Sequence, residues 1–173
     1  MSEWLTALLS LTAGSGLTML SGWASDRRTA KREGDSRADE RKDRRTARRN
    51  EFQRETLLAV QDAAMRLARC TGAANHQDVM AFRKSGEWQK QHLGEPVNSD
   101  FRVAQAELTL LATRVGDDGT RNMVDAFQST CVRALFSPSE AESKQCMTEM
   151  GERLTELHKR SGRQIRELDE ESK

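Results

Sequence analysis

The groups that could do chemistry are few and scattered. His76, His92 and His158 stand far apart in the chain. Cys70, Cys131 and Cys146 occur singly, with no Cys-x-x-Cys spacing, and no Glu-x-x-His is present to build a di-iron centre. A phosphate-cradling glycine loop followed by Lys-Ser/Thr is absent, and the turn Gly116-Asp117-Asp118-Gly119 lacks the alternating oxygen ligands of a calcium loop. Serines, histidines and acids are plentiful, but none are spaced as a nucleophile with its base. The sequence therefore names no catalytic residue, no metal and no cofactor, and we expect a protein that is not an enzyme. Each cysteine falls at or beside a core-facing position, so each reads as a small apolar side chain. An odd number of them argues against a disulfide framework and for a reducing compartment.

The informative chemistry is electrostatic. The chain carries 28 basic and 27 acidic residues, but residues 26–51 hold eleven basic against seven acidic side chains. Arg27, Arg28, Lys31, Arg32, Arg37, Arg41, Arg44, Arg45, Arg48 and Arg49 form the basic set that would contact anionic lipid or an acidic partner. At 100° per residue, Arg37, Arg41, Lys42, Arg44, Arg45, Arg48 and Arg49 fall within roughly 180–340° on a helical wheel, and Asp35, Asp39, Glu40, Asp43 and Glu51 within roughly 0–160°. Segregation of this kind has a cost, because like charges four residues apart, such as Arg37/Arg41 and Arg44/Arg48, repel by about 0.2–0.5 kcal/mol each. A stalk built only for structure would interleave the signs. The inner leaflet offers an anionic counterpart at about 1 kcal/mol per nearby basic residue. Nucleic acid is the less favoured partner, since no aromatic residue is interleaved to stack on bases. A charged linker whose arginines only secure topology is the simpler alternative. Gly34 is expected to bend or interrupt this helix.

What precedes the arginines gives them a place. Residues 4–23 form a run of twenty without a charge, bounded by Trp4 and Trp23. Twenty residues at helical rise match the hydrocarbon thickness of a bilayer, and the tryptophans stand where interfacial aromatics belong. The basic flank orients such a span with its amino terminus outside and the rest of the chain in the cytoplasm. A cleaved secretory signal is the rival reading, but the amino terminus has no Lys or Arg and carries Glu3. Six leucines are diluted by nine Gly, Ser and Thr residues, so the span is weakly apolar. Thr6, Ser10, Gly14, Thr18 and Gly22 recur every four residues, a stripe along which this helix could pack on itself or on another membrane helix.

Few β-branched residues, two prolines and abundant Ala, Leu, Glu, Gln, Arg and Met favour helix almost throughout. The expected fold is all-α: a transmembrane anchor at 1–25, a charged helical stalk or linker at 26–51, and a cytoplasmic bundle of four or five helices at 52–173. Leu57, Val60, Ala64, Leu67 and Ala68 predict a helix over about 50–71 ending at Thr71-Gly72. A weaker one over about 75–92 presents Val79, Phe82 and Trp88 and stops before Gly94-Glu95-Pro96. A third, capped by Asn98 or Ser99, lines Phe101, Ala104, Leu108, Leu111 and Val115 on one face, widened by Val103 and Leu110. The fourth turns Met123, Phe127, Cys131 and Leu135 inward. A long last helix, announced by Ser137-Pro138-Ser139-Glu140 as serine cap, first-turn proline and capping-box glutamate, carries Met147, Met150, Leu154 and Leu157. Its seam weakens at Ser161 before Ile165 and Leu168 resume it.

This layout of apolar span, arginine-rich stalk (RADERKDRRTARRNEFQRETL) and helical bundle, with 21 Arg to 7 Lys, resembles small uncharacterised membrane-anchored proteins of high-GC bacteria and their phages. The resemblance implies no activity and assigns no residue a role. The expected function is that of a membrane-anchored binding module or scaffold, with the bilayer, a second membrane helix and a cytoplasmic protein as partners. The alternative is a phage- or plasmid-type membrane effector, for lysis, exclusion or immunity, whose oligomerising span acts on the bilayer.

Overall fold

The computed structural model describes residues 3–88, 95 and 97–171, with side chains described in that set except at 3–35 and 38. Four helices follow one another: α1 (Glu3–Ser85), α2 (Val97–Ala112), α3 (Asp118–Leu135) and α4 (Glu140–Glu171). No strand occurs among the described residues. The chain divides into two compact units at the Arg48/Arg49 bond. Among the described residues no helix is long and apolar enough to cross a membrane. The side chains of the expected Trp4–Trp23 span lie outside that set.

The second unit is a four-helix bundle with antiparallel neighbours. Near its start, α1 meets the end of α4 through Asn50, whose Nδ2 donates to Glu171 at 3.3 Å, and through the Arg54–Asp169 pair at 3.2 Å. Further along, Ser143 on α4 hydrogen-bonds Asn75 at 2.5 Å. Arg66 reaches Glu107 on α2 at 2.6 Å, Thr109 on α2 reaches Gln128 on α3 at 3.0 Å, and Arg160 on α4 reaches Asp117 at the head of α3 at 2.8 Å. Each helix contributes one fully buried large residue to the centre: Leu67, Leu108, Phe127 and Leu157. The expected core faces are present, since Phe101, Ala104, Leu108, Leu111 and Val115 are buried, as are Phe127, Cys131 and Met150. Met123, Leu135, Met147, Leu154, Ile165 and Leu168 pack partly buried around them, so α4 spends its length within this bundle.

Several boundaries differ from those expected. The helix does not break at Thr71-Gly72. Thr71 is fully buried with its hydroxyl returned to the Leu67 carbonyl at 2.9 Å, and Gly72 sits opposite Met147. The two helices expected over 50–71 and 75–92 are therefore one, and the bundle has four members. Nor is the helix interrupted at Gly34. The true stop is Gly86, whose φ of 73° is the left-handed conformation glycine tolerates, with its N–H donating to the Phe82 carbonyl at 2.8 Å. Trp88 lies beyond that stop. Its indole N–H donates to the Ser137 carbonyl at 3.1 Å, and its ring meets Phe82 edge-on at 5.7 Å.

Val103 and Leu110 do not widen the core face of α2, being 61 % and 55 % exposed. Each lies two residues past a core position, about 200° away around the helix, so a face holding Phe101 and Leu108 turns them outward. The helix itself begins at Val97, ahead of the expected Asn98 or Ser99 cap. For α4 the capping serine is Ser139 rather than Ser137: its Oγ accepts from the Glu142 N–H at 3.2 Å, while the Ser137 hydroxyl donates to the Ala134 carbonyl at 3.0 Å. That shift places Glu142, not Glu140, at the third helical position. Ser161 is fully buried in the α4 seam.

A side-chain cap replaced by alanine typically costs about 1 kcal/mol. Ser139→Ala should lower the free energy of chemical unfolding by that amount with an unchanged denaturant slope.

Candidate functional site

The expected cationic face begins with the backbone that carries it. Residues 36–48 are helical, and every side chain described there is exposed. Helical periodicity therefore sets the azimuths, with Arg37, Arg41, Lys42, Arg44, Arg45 and Arg48 on one side and Asp39, Glu40 and Asp43 on the other. One ion pair bridges the two sides, Arg44–Glu40 at 3.4 Å, with the two side chains 76 % and 61 % exposed. A solvated pair of this kind contributes little. Arg41, Lys42, Arg45 and Arg48 make no ion pair among the described residues. Arg49, the first residue of the second unit, is likewise exposed.

The exposed guanidinium groups of Arg41, Arg45 and Arg48, which make no ion pair among the described residues, can do one thing well. Each presents a planar fork of donors that fits a phosphate or carboxylate in two-point contact. The absence of aromatic residues from 24 to 51 leaves nothing to stack on bases. The remaining expected positions, Thr6, Ser10, Gly14, Thr18, Gly22, Arg27, Arg28, Lys31 and Arg32, have side chains outside the described residues.

Within the bundle the polar clusters are structural. Cys131 is buried beside Thr71 and burial pushes its thiol up to about 11. Cys70, half buried, is also raised, first by burial and then by Asp100. Thiols held protonated are poor nucleophiles. Among the described residues no group of His, Cys, Asp and Glu side chains could hold a metal ion. His158 Nε2 and Ser161 Oγ are buried without a hydrogen-bond partner among the described residues. On Glu149, hydrogen bonds from Arg153 and Arg133 outweigh burial and hold the carboxyl below its usual range.

One polar knot had no signal in the sequence. Asp117 caps α3, its Oδ2 accepting from the Thr120 N–H at 2.6 Å and the Thr120 hydroxyl at 2.8 Å, while Arg160 from α4 donates to the same oxygen from Nε at 3.1 Å and Nη2 at 2.8 Å. A Cβ at Gly119 would meet the Arg160 guanidinium, so a larger residue there would have to push that side chain aside. Burial pushes the Asp117 carboxyl up, but the hydrogen bonds from Thr120, Arg160 and Gln164 win and hold it at about 2. Gly116-Asp117-Asp118-Gly119 is legible as a turn. The partner that locks it stands 43 residues further on and no local pattern announces it.

No family model, curated protein or solved structure matches this chain.

A carboxyl whose folded pKa is depressed contributes stability above its unfolded pKa and loses it as pH falls through the folded value. Acid titration of the folded protein should show stability falling between pH 3.8 and about 2. Asp117→Asn, followed by thermal melts across that range, should be less stable at pH 7 and should lack this part of the acid slope.

Proposed function

We propose that this protein is a single-pass membrane protein whose helical bundle is a non-enzymatic binding module, held at the cytoplasmic face of the inner membrane with its amino terminus outside. The uncharged Trp4–Trp23 run is the anchor, and the stripe Thr6, Ser10, Gly14, Thr18 and Gly22 lets that anchor pack on a second membrane helix, its own copy included. The arginine-rich stalk lies against the anionic headgroups of the inner leaflet, with Arg27, Arg28, Lys31 and Arg32 nearest the span.

One observation supports this reading above the others: Arg41, Arg45 and Arg48 share an exposed helical side and make no ion pair among the described residues. A linker needed only to separate an anchor from a bundle gains nothing from that arrangement and bears the repulsion of like charges at i,i+4. A headgroup surface removes the repulsion and adds about 1 kcal/mol per contact. The scattered histidines and the protonated thiols support a binding role over catalysis.

Residues 26–173 should bind vesicles containing anionic lipid and not neutral ones. Binding should fall steeply with salt as the screening length shrinks from about 10 Å at 0.1 M to about 3 Å at 1 M. Replacing Arg37, Arg41, Arg44, Arg45 and Arg48 with glutamine should weaken vesicle binding by about a hundredfold or more and leave the cooperative melting of the bundle unchanged. Equal binding of both forms would return the stalk to a linker. Tighter binding to DNA or RNA than to vesicles at matched salt would make the protein a tethered nucleic-acid binder.

A further inference from the structure

The side of the bundle formed by α1 and α2 joins exposed apolar side chains to charged ones. On α2, Asp100, Val103, Glu107 and Leu110 follow at three- and four-residue steps, a single ridge, and Arg114 stands in the turn just beyond the helix. Val103 and Leu110 stand 61 % and 55 % exposed on it, with exposed Ala106 beside them. On α1 the matching ridge is Glu55, Ala59, Asp62, Arg66, Arg69 and Ala73. The two ridges adjoin. Arg66 bridges Asp62 at 2.5 Å and Glu107 at 2.6 Å, and Arg69, Ala73, Asp100 and Val103 line one open, mainly apolar cleft of about 460 Å³.

The charges along these ridges are paired at the centre and unpaired at the ends. Arg69 and Asp100 stand at one end, Glu55 and Arg114 at the other, and none of the four makes an ion pair among the described residues. Each end thus carries one cation and one anion, one from α1 and the other from α2 or the turn just beyond it. Because α1 and α2 run antiparallel, each of these groups lies level with its counterpart.

We propose that this face binds a second copy of the chain about a two-fold axis parallel to the helices, laying α2 of one protomer on α1 of its partner. That operation exchanges the two helices without sliding them. It brings Arg69 to the partner's Asp100 and Glu55 to the partner's Arg114. It also sets Leu110 over the partner's Ala59, whose small side chain leaves room for it. Self-complementarity is what an isologous interface demands, and a face that satisfies all its own unpaired charges by one rotation fits its own copy better than a foreign surface. A two-fold perpendicular to the helices pairs Glu55 with the partner's Arg69 and Asp100 with the partner's Arg114 instead, and either axis brings the Asp62 and Glu107 carboxylates, already held by Arg66, to the centre of the seam. The parallel axis leaves both protomers' Arg49 ends on one side, which is where two chains anchored in one membrane would need them. The face itself does not depend on the membrane reading.

Two differently tagged full-length chains, both carrying Gly14→Ile and Gly22→Ile so that the span does not hold them together, would be co-expressed and purified on one tag. Unaltered bundles should co-purify. Arg69→Glu with itself, and Asp100→Arg with itself, should each lose about tenfold, because both symmetric contacts turn repulsive. Arg69→Glu mixed with Asp100→Arg should return to the unaltered level, since both contacts regain opposite signs. Both positions are exposed, and unchanged circular dichroism melts would confirm intact folding. Failure of unaltered bundles to co-purify, equal recovery in every pairing, or no recovery in the mixed pairing would each overturn the proposal. Loss of vesicle binding by the stalk variant would leave these outcomes unmoved, so the two readings fail separately.

Discussion

Burial of Leu67, Leu108, Phe127 and Leu157 in one shared core, one from each helix and each fully buried, is the constraint from which the rest of the molecule follows. A bundle of this size has one core to give, and burying apolar surface at about 25 cal/mol per Å² is what offsets the ordering of four helices. Every helix must turn one stripe inward, and several polar groups at the edges of those stripes hold helix ends and neighbours in register. Asp117 caps α3 and at the same time receives Arg160 from α4. Asn50 ties the first turn of α1 in the bundle to the last turn of α4.

The same constraint keeps residues 26–48 from supplying a core, for they contain no apolar group larger than alanine. Their charges must stay in water or meet charges of opposite sign. In that sense the basic face and the bundle answer different demands within one chain: the bundle spends many polar groups on joining its helices, and Arg41, Arg45 and Arg48 make no ion pair among the described residues.

How much of this was legible before the structure depends on whether the signal is local. Helices α2, α3 and α4 were readable because their apolar residues repeat with helical period over three turns or more, and the inward residues Phe101, Leu108, Phe127, Cys131 and Leu157 followed from that period. Misreadings have particular causes. Thr71-Gly72 looks like a stop, but a glycine facing Met147 from the middle of a packed helix has the same spelling as a glycine at a helix end. Ser137 and Ser139 flank one proline, and only the hydrogen bond to Glu142 tells which of them caps. Val103 and Leu110 were counted inward for being apolar, although their phase places them outside. The Asp117–Arg160 knot joins elements distant in sequence, so no window could have contained it. The cationic face was legible residue by residue, because one helix with a fixed period needs no tertiary contact to separate its signs.

In the proposed function, the uncharged amino-terminal run holds the chain in a bilayer and the arginines form its cytoplasmic flank. Alkaline carbonate extraction of membranes from cells making the full-length protein tests it most directly, since high pH strips proteins bound by charge and leaves those that span. The full chain should stay with the membrane pellet, and a chain lacking residues 1–25 should be released. Release of the full chain along with the shortened one would contradict it.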